Sequence, residues 1–354
     1  MKVTVKDYLN VRVGKPSLNA DCYKYLRPGH ELEVDGKLYK GDMFEGIDTW
    51  LKDDAGNHYW SGGVINRLPW WIEDFGIDEI WKSTRGENAV VILLDSGFTE
   101  CEDVSIDRIQ LKYSVIQNDT GLDSYGHGTT MSSIICGKGL TIMGIAPACK
   151  LIHIKICEDS AISNLNFIEG LKKIEDIVSG NISQRYVVNC SLVLTNLTGD
   201  EKKTITQKID DLASKNVIFS VAAGNRPTSL PTFLESLDSS VVSSAGICKN
   251  ENNLSYSRII DSNIWEKITV TTPGYYPALK QFTLEPYGSS HACAYTSGLI
   301  ALTISLKPDL KITEFKSLIS KCAQLCPDVN SDPNFIINNK IISRTLLVQT
   351  LKNL

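Results

Sequence analysis

Four polar side chains of this sequence belong to types that can do covalent chemistry, and each lies where an apolar segment ends or a helix is expected to begin. They are Asp95 after NAVVILL, His127 between two glycines, Asn225 after VIFSVAAG, and Ser290 before an apolar stretch. A serine hydroxyl can act as a nucleophile, an accessible imidazole as a general base, and an amide as a donor to an oxyanion. Each residue taken singly is also a common helix cap or turn former.

The order of these residues along the chain is Asp, His, Asn, Ser, and their neighbours narrow the interpretation. The segments are Asp95-Ser96-Gly97, Gly126-His127-Gly128-Thr129, Ala222-Ala223-Gly224-Asn225 and Gly288-Ser289-Ser290-His291-Ala292. They resemble the signature segments of the subtilisin-like (S8) serine proteases, which use the order Asp, His, Ser. GIAPACKLIHIKI, VVNCSLVL and TTPG also resemble family segments, so the resemblance runs from about Trp70 to the end of the chain.

The resemblance implies a serine endopeptidase that works through an acyl-enzyme. Ser290 would be the nucleophile and would also cap its helix, His127 its general base, and Asp95 the group that fixes the His127 tautomer. The Ser290 N–H and the Asn225 amide would form the oxyanion hole. A lipase-type nucleophile elbow is excluded, because GSSHA is not G-x-S-x-G.

The resemblance also predicts substrate-binding residues, which are Ser191, Leu192, Val193, Ala223 and Gly224. Val193 stands where the family usually has Gly, so we expect a narrower specificity pocket. His291, directly after the proposed nucleophile, is unusual and is expected to shape the leaving-group side. Ser289 for Thr and Ala294 for Pro are milder departures. The alternative function is a binding or scaffold protein with a subtilisin fold and a catalytically weak or inactive site, which would act through the SH3-like domain predicted below for the N-terminal residues.

The elements that must position these residues are short strands and amphipathic helices in alternation. The runs at 88–94, 151–156, 186–192, 217–223 and 241–246 are apolar throughout, as strands buried on both faces are. Helical stripes lie between them, one through Leu165, Ile168, Leu171 and Ile174, and the next through Ile205, Ile209 and Leu212. The pattern predicts an α/β fold with a doubly wound, mostly parallel sheet, helices on both faces, and a ligand crevice at the carboxyl ends of the strands.

Residues 1–63 differ from the rest, with short polar-interrupted segments separated by Asp-Gly, Pro-Gly and Ala-Gly-Asn turns. They predict a small all-β domain, and LNVRVGKP resembles the start of a bacterial SH3-like (SH3b) domain. The predicted domains are therefore 1–63, a targeting or regulatory module that binds a peptide or protein partner, and 64–354, the protease domain.

Composition limits the remaining possibilities. A net charge of −5 on 354 residues, with the basic residues dispersed, argues against a nucleic-acid partner. No signal peptide or transmembrane segment is recognisable, so we expect a cytoplasmic protein with reduced cysteines and no membrane partner. The expected partner is a peptide or protein substrate. No metal ligand or cofactor is predicted. A structural calcium ion is left open, although DVNSDPN at 328–334 is interpreted as a turn.

Overall fold

The computed structural model describes residues 2–66, 68–139, 141–250, 256–259, 261–263, 265–325 and 340–354. The chain divides into two units, Met1–Pro69 and Trp70–Leu354. The 328–334 segment lies outside the described residues. No helix within the described ranges is both long and apolar enough to cross a bilayer.

The first unit is built from strands, as the sequence predicts. They are β1 (Lys2–Val5), β2 (Leu9–Val13), β3 (Cys22–Leu26), β4 (Glu31–Glu33), β5 (Tyr39–Phe44), β6 (Ile47–Lys52), β7 (Asn57–Trp60) and β8 (Val64–Asn66). They form two antiparallel sheets, in the orders β4-β1-β8 and β3-β2-β7-β6-β5. The two sheets share an apolar core that includes Val3, Val11 and Leu51. Because β8 pairs with β1, this unit extends past the predicted boundary at residue 63. An SH3-like barrel stays a prediction.

The second unit contains one large sheet. Its strands are β9 (Val90–Asp95), β10 (Ile109–Ser114), β11 (Lys150–Lys155), β12 (Tyr186–Cys190), β13 (Val217–Ala222), β14 (Val241–Lys249), β15 (Tyr256–Arg258), β16 (Val270–Pro273), β17 (Ala323–Leu325) and β18 (Lys340–Ile342). The order is β10-β11-β9-β12-β13-β14-β16-β18-β17, with β15 paired to β14. Among the described strands of this sheet, only β15 with β14 and β17 with β18 are paired antiparallel. The predicted doubly wound, mostly parallel sheet is therefore confirmed.

Helices cover both faces of this sheet. They are α1 (Trp70–Glu73), α2 (Ile77–Ile80), α3 (His127–Cys136), α4 (Asn164–Gly180), α5 (Gly199–Ser214), α6 (Ser289–Leu306), α7 (Ile312–Cys322) and α8 (Arg344–Lys352). Helices α4 and α5 pack on the face that carries Val90, Ile92 and Leu94, whereas α3 and α6 lie against the other face. The predicted stripe of α5 is buried, but Leu165 of α4 is exposed and Phe167 takes its place in the core.

The position of β9 explains where a site can form. The strands that follow β9 in sequence lie on both sides of it, so the order of the sheet reverses there, at the point where open α/β sheets bind ligands. Side chains alternate along a strand. Asp95 therefore follows Val91 and Leu93 onto the face of α3 and α6, at the carboxyl end of β9.

Candidate active site

Asp95 and His127 form the best-defined polar contact at this end of the sheet. His127 Nδ1 lies 2.7 Å from Asp95 Oδ1, and the same oxygen accepts a 2.8 Å hydrogen bond from the Ser96 backbone N–H. Asp95 is 4% exposed, and its Oδ2 has no hydrogen-bond partner among the described residues. A buried carboxylate held in this way fixes the imidazole with Nδ1 protonated and Nε2 directed elsewhere.

The first turn of α3 is held by a second buried carboxylate, Asp123. Its Oδ1 accepts from Gly126 N (2.7 Å) and Ser96 Oγ (2.9 Å), and its Oδ2 from Thr129 N (2.9 Å) and Thr129 Oγ1 (2.7 Å). Two of these four donors, Gly126 N and Thr129 N, are backbone N–H groups at the helix start, so Asp123 satisfies two of the groups that a helix start leaves without an intrahelical partner. His127 is the first residue of that helix, so Asp123 determines the position of its backbone.

Two glycines allow this close approach. Gly126 has φ +94°, a conformation that side chains disfavour. At Gly128, a Cβ would lie 2.3 Å from the Gly97 carbonyl oxygen and 3.3 Å from Asp95 Oδ1. The absence of a side chain at Gly128 therefore lets the start of α3 pack closely against Gly97 and Asp95.

Electrostatics favour the protonated form of His127. Burial lowers the pKa of His127, but the charge of Asp95, its hydrogen bond and the charge of Asp123 outweigh burial and raise it above 6.5. An imidazole of this kind can accept a proton and then be stabilised as the imidazolium.

Ser290 is the second residue of α6, and its hydroxyl does not cap the helix. Its Oγ donates to the Ser191 carbonyl at 3.1 Å, and Ser191 Oγ donates to the Ser290 carbonyl at 2.8 Å. Asn189 Nδ2 donates to Ser191 Oγ at 3.0 Å. This reciprocal pair, here called the serine latch, joins the end of β12 to the start of α6. Within the described residues no hydrogen bond joins Ser290 Oγ to His127.

The cap of α6 comes from Asn225 instead, which corrects the prediction for Ser290. Asn225 Oδ1 accepts from Ser289 N at 2.8 Å and from Ser289 Oγ at 2.7 Å, and Ser289 Oγ accepts from Gly224 N at 3.0 Å. Because its oxygen is held on the helix start, the amide of Asn225 keeps Nδ2 available for another acceptor. A Cβ at Gly288 would lie 3.1 Å from that nitrogen, so the glycine leaves room for it.

These side chains line one cleft of about 580 Å³. Its lining includes Asp95, His127, Ser290 and Asn225, and also the predicted wall residues Ser191, Leu192, Val193 and Gly224. Val193 is 36% exposed at the wall. The predicted wall residue Ala223 does not line the cleft, because it is fully buried and its N–H donates to Ser244 O. Ala222 lines the cleft in its place.

His291 also lines the cleft but is not free to titrate near neutrality. It is 5% exposed and stacks on Tyr276 at 6.1 Å between ring centroids, and its Nδ1 has no partner among the described residues. Burial, with a smaller effect of His127, lowers the pKa of His291 to about 3. The ring is therefore a neutral neighbour of Ser290.

Sequence reasoning missed three groups around the cleft, namely Asp123, Cys157 and a buried cluster formed by Thr232, Glu235 and Asn263. An Asp three residues before a Gly-His pair at a helix start was an available signal for Asp123. Burial raises the pKa of Cys157 to about 12, with Asp95, Asp123 and Asp159 adding to it, so this thiol stays protonated. Thr232 and Glu235 have the T-x-x-E spacing of a capping box, which was an available signal, whereas no local pattern marks Asn263, which comes from a distant loop.

Among the described residues, no group of three or more His, Cys, Asp or Glu side chains could hold a metal ion. The cleft instead combines an imidazole–carboxylate pair, a hydroxyl and an anchored amide.

Comparison with known proteins extends the resemblance over most of the chain. The subtilase (Peptidase_S8) family model matches residues 18–341. Alkaline protease 1 of Aspergillus flavus is 25% identical over 275 residues, which are 74% of this chain and 64% of that protein. The minor extracellular protease Epr of Bacillus subtilis is 24% identical over 237 residues, 66% of this chain and 35% of that protein. The chain thus spans less than two thirds of the length of these curated relatives.

Solved structures share the fold of the second unit. A cold-adapted subtilisin-like serine proteinase superposes with a TM-score of 0.60 at 21% identity, over 74% of this chain and 90% of that one. A chain from the subtilase cytotoxin SubAB assembly gives 0.64 at 18% identity, over 81% and 97%. At these identities the likeness shows the fold alone. The match of the family model to most of the chain shows that this protein belongs to the subtilase family, a family of serine endopeptidases.

Proposed function

We propose that the second unit is an active serine endopeptidase in which Asp95, His127 and Ser290 form the catalytic triad. The observation that carries the proposal is the 2.7 Å contact between His127 Nδ1 and buried Asp95, in the cleft that Ser290 and Asn225 also line. His127 Nε2 takes the Ser290 proton as the hydroxyl attacks the peptide carbonyl, and later gives it to the leaving amine.

The remaining steps use groups around the nucleophile. The negative charge of the tetrahedral intermediate falls on the oxygen that faces Asn225 Nδ2 and the Ser290 N–H at the start of α6. The Ser290 hydroxyl must first leave the Ser191 carbonyl, which is a rotation about one side-chain bond. The extended substrate lies along Ser191, Leu192 and Val193, and Val193 favours small side chains in the specificity pocket.

Covalent labelling with a fluorophosphonate tests this function. We expect modification of Ser290 in the full chain, located by mass spectrometry, and its loss in Ser290→Ala and His127→Ala. Ser160→Ala is the matched control, because Ser160 is another hydroxyl that lines the cleft but should keep full labelling. An unlabelled parent protein would contradict the proposal.

A second candidate function is a binding protein on the same fold. The observation that favours it is the serine latch, in which the Ser290 hydroxyl is bonded to Ser191 and not to His127. If the protein has this function, a fluorophosphonate should not label the parent protein. The Ser290→Ala variant should bind peptides as tightly as the parent does.

For the first unit we propose an SH3-like module that binds a peptide or protein partner or regulates the protease. Its support is the pair of antiparallel sheets and the exposed aromatic residues Tyr8, Tyr23 and Tyr25. If removal of residues 1–69 changes neither the labelling rate, the stability nor partner binding, this role is excluded.

A further inference from the structure

Asn263 lies next to the segment that carries the proposed oxyanion donor, and it lines the same cleft as Asn225. Its backbone N–H donates to the Gly224 carbonyl at 3.0 Å, and its side-chain Oδ1 accepts from the Arg226 N–H at 3.1 Å. Gly224 and Arg226 are the two neighbours of Asn225. Asn263 therefore holds the backbone on both sides of that residue, and the position of the Asn225 Cα–Cβ bond depends on these contacts.

The surroundings of Asn263 are buried and closely packed. Asn263 is 3% exposed, and a Cβ at Gly224 would lie 3.0 Å from both its Nδ2 and Thr232 Cγ2. Thr232 is fixed in turn, because its N–H donates to Glu235 Oε2 at 2.7 Å and its Oγ1 accepts from Glu235 N at 3.3 Å. Asn263 is thus packed against a partly buried residue, Thr232, which is itself hydrogen-bonded to fully buried Glu235.

The front of the same segment is held by Ser289, whose hydroxyl contacts both Gly224 N and Asn225 Oδ1. Ser289 fixes the amide end of Asn225, but it does not fix the backbone that follows. Among the described residues, the Asn263 side chain is the only hydrogen-bond acceptor for the Arg226 N–H.

We infer that Asn263 is a positioning residue for catalysis, acting through the Asn225 amide. This inference rests on the proposed protease function and adds a residue to it. A donor displaced by a fraction of an ångström no longer matches the oxyanion, and loss of one such donor lowers kcat by about 100- to 1,000-fold. We expect Asn263→Ala, which orphans the Arg226 N–H, to lower kcat by about 10- to 100-fold and to leave KM within about twofold.

A double-mutant cycle tests whether the effect passes through Asn225. Peptide hydrolysis is measured for the full-chain parent, Asn263→Ala, Asn225→Ala and the double variant. A residue that acts through Asn225 has little left to do once that amide is gone, so we expect Asn263→Ala to change kcat less than about twofold in the Asn225→Ala background.

Ser262→Ala is the matched control. Ser262 is the preceding residue of the same loop and is fully buried, and its hydroxyl accepts a 3.2 Å hydrogen bond from Gly246 N and not from any of residues 224–226. General loosening of the loop should act alike in both backgrounds, so Ser262→Ala should be additive with Asn225→Ala. If Asn263→Ala does not fold, Asn263→Ser takes its place, since its hydroxyl is polar but too short to reach Arg226 N.

Amide hydrogen exchange of the peptide covering 224–226 gives a readout that needs no activity. Faster exchange at Arg226 in the Asn263 variant, together with the non-additive cycle, supports the inference. Equal loss of kcat in both backgrounds, a change confined to KM, or unchanged exchange overturns it. A parent that fluorophosphonate does not label counts against the proposed function instead, and exchange then decides whether Asn263 holds the segment.

Discussion

Glu235 gives the most quantitative prediction for the stability of this protein. Its side chain is fully buried, and its Oε1 has no hydrogen-bond partner among the described residues. Burial raises the pKa of Glu235 from 4.5 to about 7, although the hydrogen bond from the Thr232 N–H and the nearby polar side chains of Thr232 and Asn263 oppose the rise. The perturbation is Glu235→Gln, which removes the charge and keeps an oxygen for the Thr232 N–H, as Gln can in a capping box.

The direction follows from proton linkage. Between pH 4.5 and about 7 the folded state keeps the Glu235 proton and the unfolded state has lost it, so the free energy of unfolding falls as pH rises through this window. Above pH 7 the full penalty applies, about 3 kcal/mol at 1.36 kcal/mol per pH unit. We therefore expect Glu235→Gln to match the parent near pH 4.5 and to be more stable by up to about 3 kcal/mol at pH 8.

Urea denaturation at pH 5, 6.5 and 8 measures this, in a Ser290→Ala background that prevents self-digestion. Circular dichroism at 222 nm follows the second unit, because every described α-helix lies there. Glu285→Gln is the matched control, since Glu285 is an exposed carboxyl on the same cleft and should change stability by less than about 0.5 kcal/mol at any pH. A gain that is independent of pH, or a loss at pH 8, would refute the reasoning.

Three further predictions concern the site and its support. Asn225→Ala should lower kcat by about 100- to 1,000-fold with KM little changed, as measured by steady-state peptide hydrolysis. A rise in KM as large as the fall in kcat would contradict a role in the transition state. His127 must be neutral to act as a base, and its pKa is raised, so kcat/KM should fall as the pH drops through a value above 6.5. A pH–rate profile whose acid limb lies below 6.5 would exclude a raised pKa of His127 as the cause. Lys155 is buried, and its Nζ lies 2.9 Å from Asp119 Oδ2. Asp119→Asn should therefore lower the free energy of unfolding by about 3–5 kcal/mol, as measured by urea denaturation. A loss under about 1 kcal/mol would show that the pair is not desolvated.

The sheet of the second unit could be predicted from sequence because each buried strand is apolar along its whole length. The five apolar runs became β9, β11, β12, β13 and β14, since a parallel strand covered on both faces needs no alternation. The edge strand β10 is only partly buried and gave no comparable signal. Leu165 was misplaced because an apolar residue in the first turn of a helix can face solvent.

The site residues that lie in short sequence motifs could be predicted, whereas those that depend on contacts between distant parts of the chain could not. The residues next to Asp95, His127 and Ser290 resemble the signature segments of the family, so we expected these three side chains to lie in one cleft. The cap of α6 was assigned to the wrong residue, because Asn225 reaches it from another strand across 64 positions of sequence. Asn263 likewise reaches Gly224 and Arg226 from a separate loop, and no short pattern marks it, whereas Thr232 and Glu235 stand in a local T-x-x-E pattern.

The serine latch bears on when this chain can become active during synthesis. Ser191 and Ser290 are 99 positions apart, and β12 and α6 cannot join until both have been made. Helix α6 is buried along most of its length against β12, β13, β14 and β16. Contacts between residues this far apart in sequence form late in folding, because the chain loses the entropy of the closed loop before it gains the stabilisation of the contact. In a nascent chain Asp95 and His127 are therefore made well before Ser290, so the proposed triad cannot be complete until translation has passed residue 290.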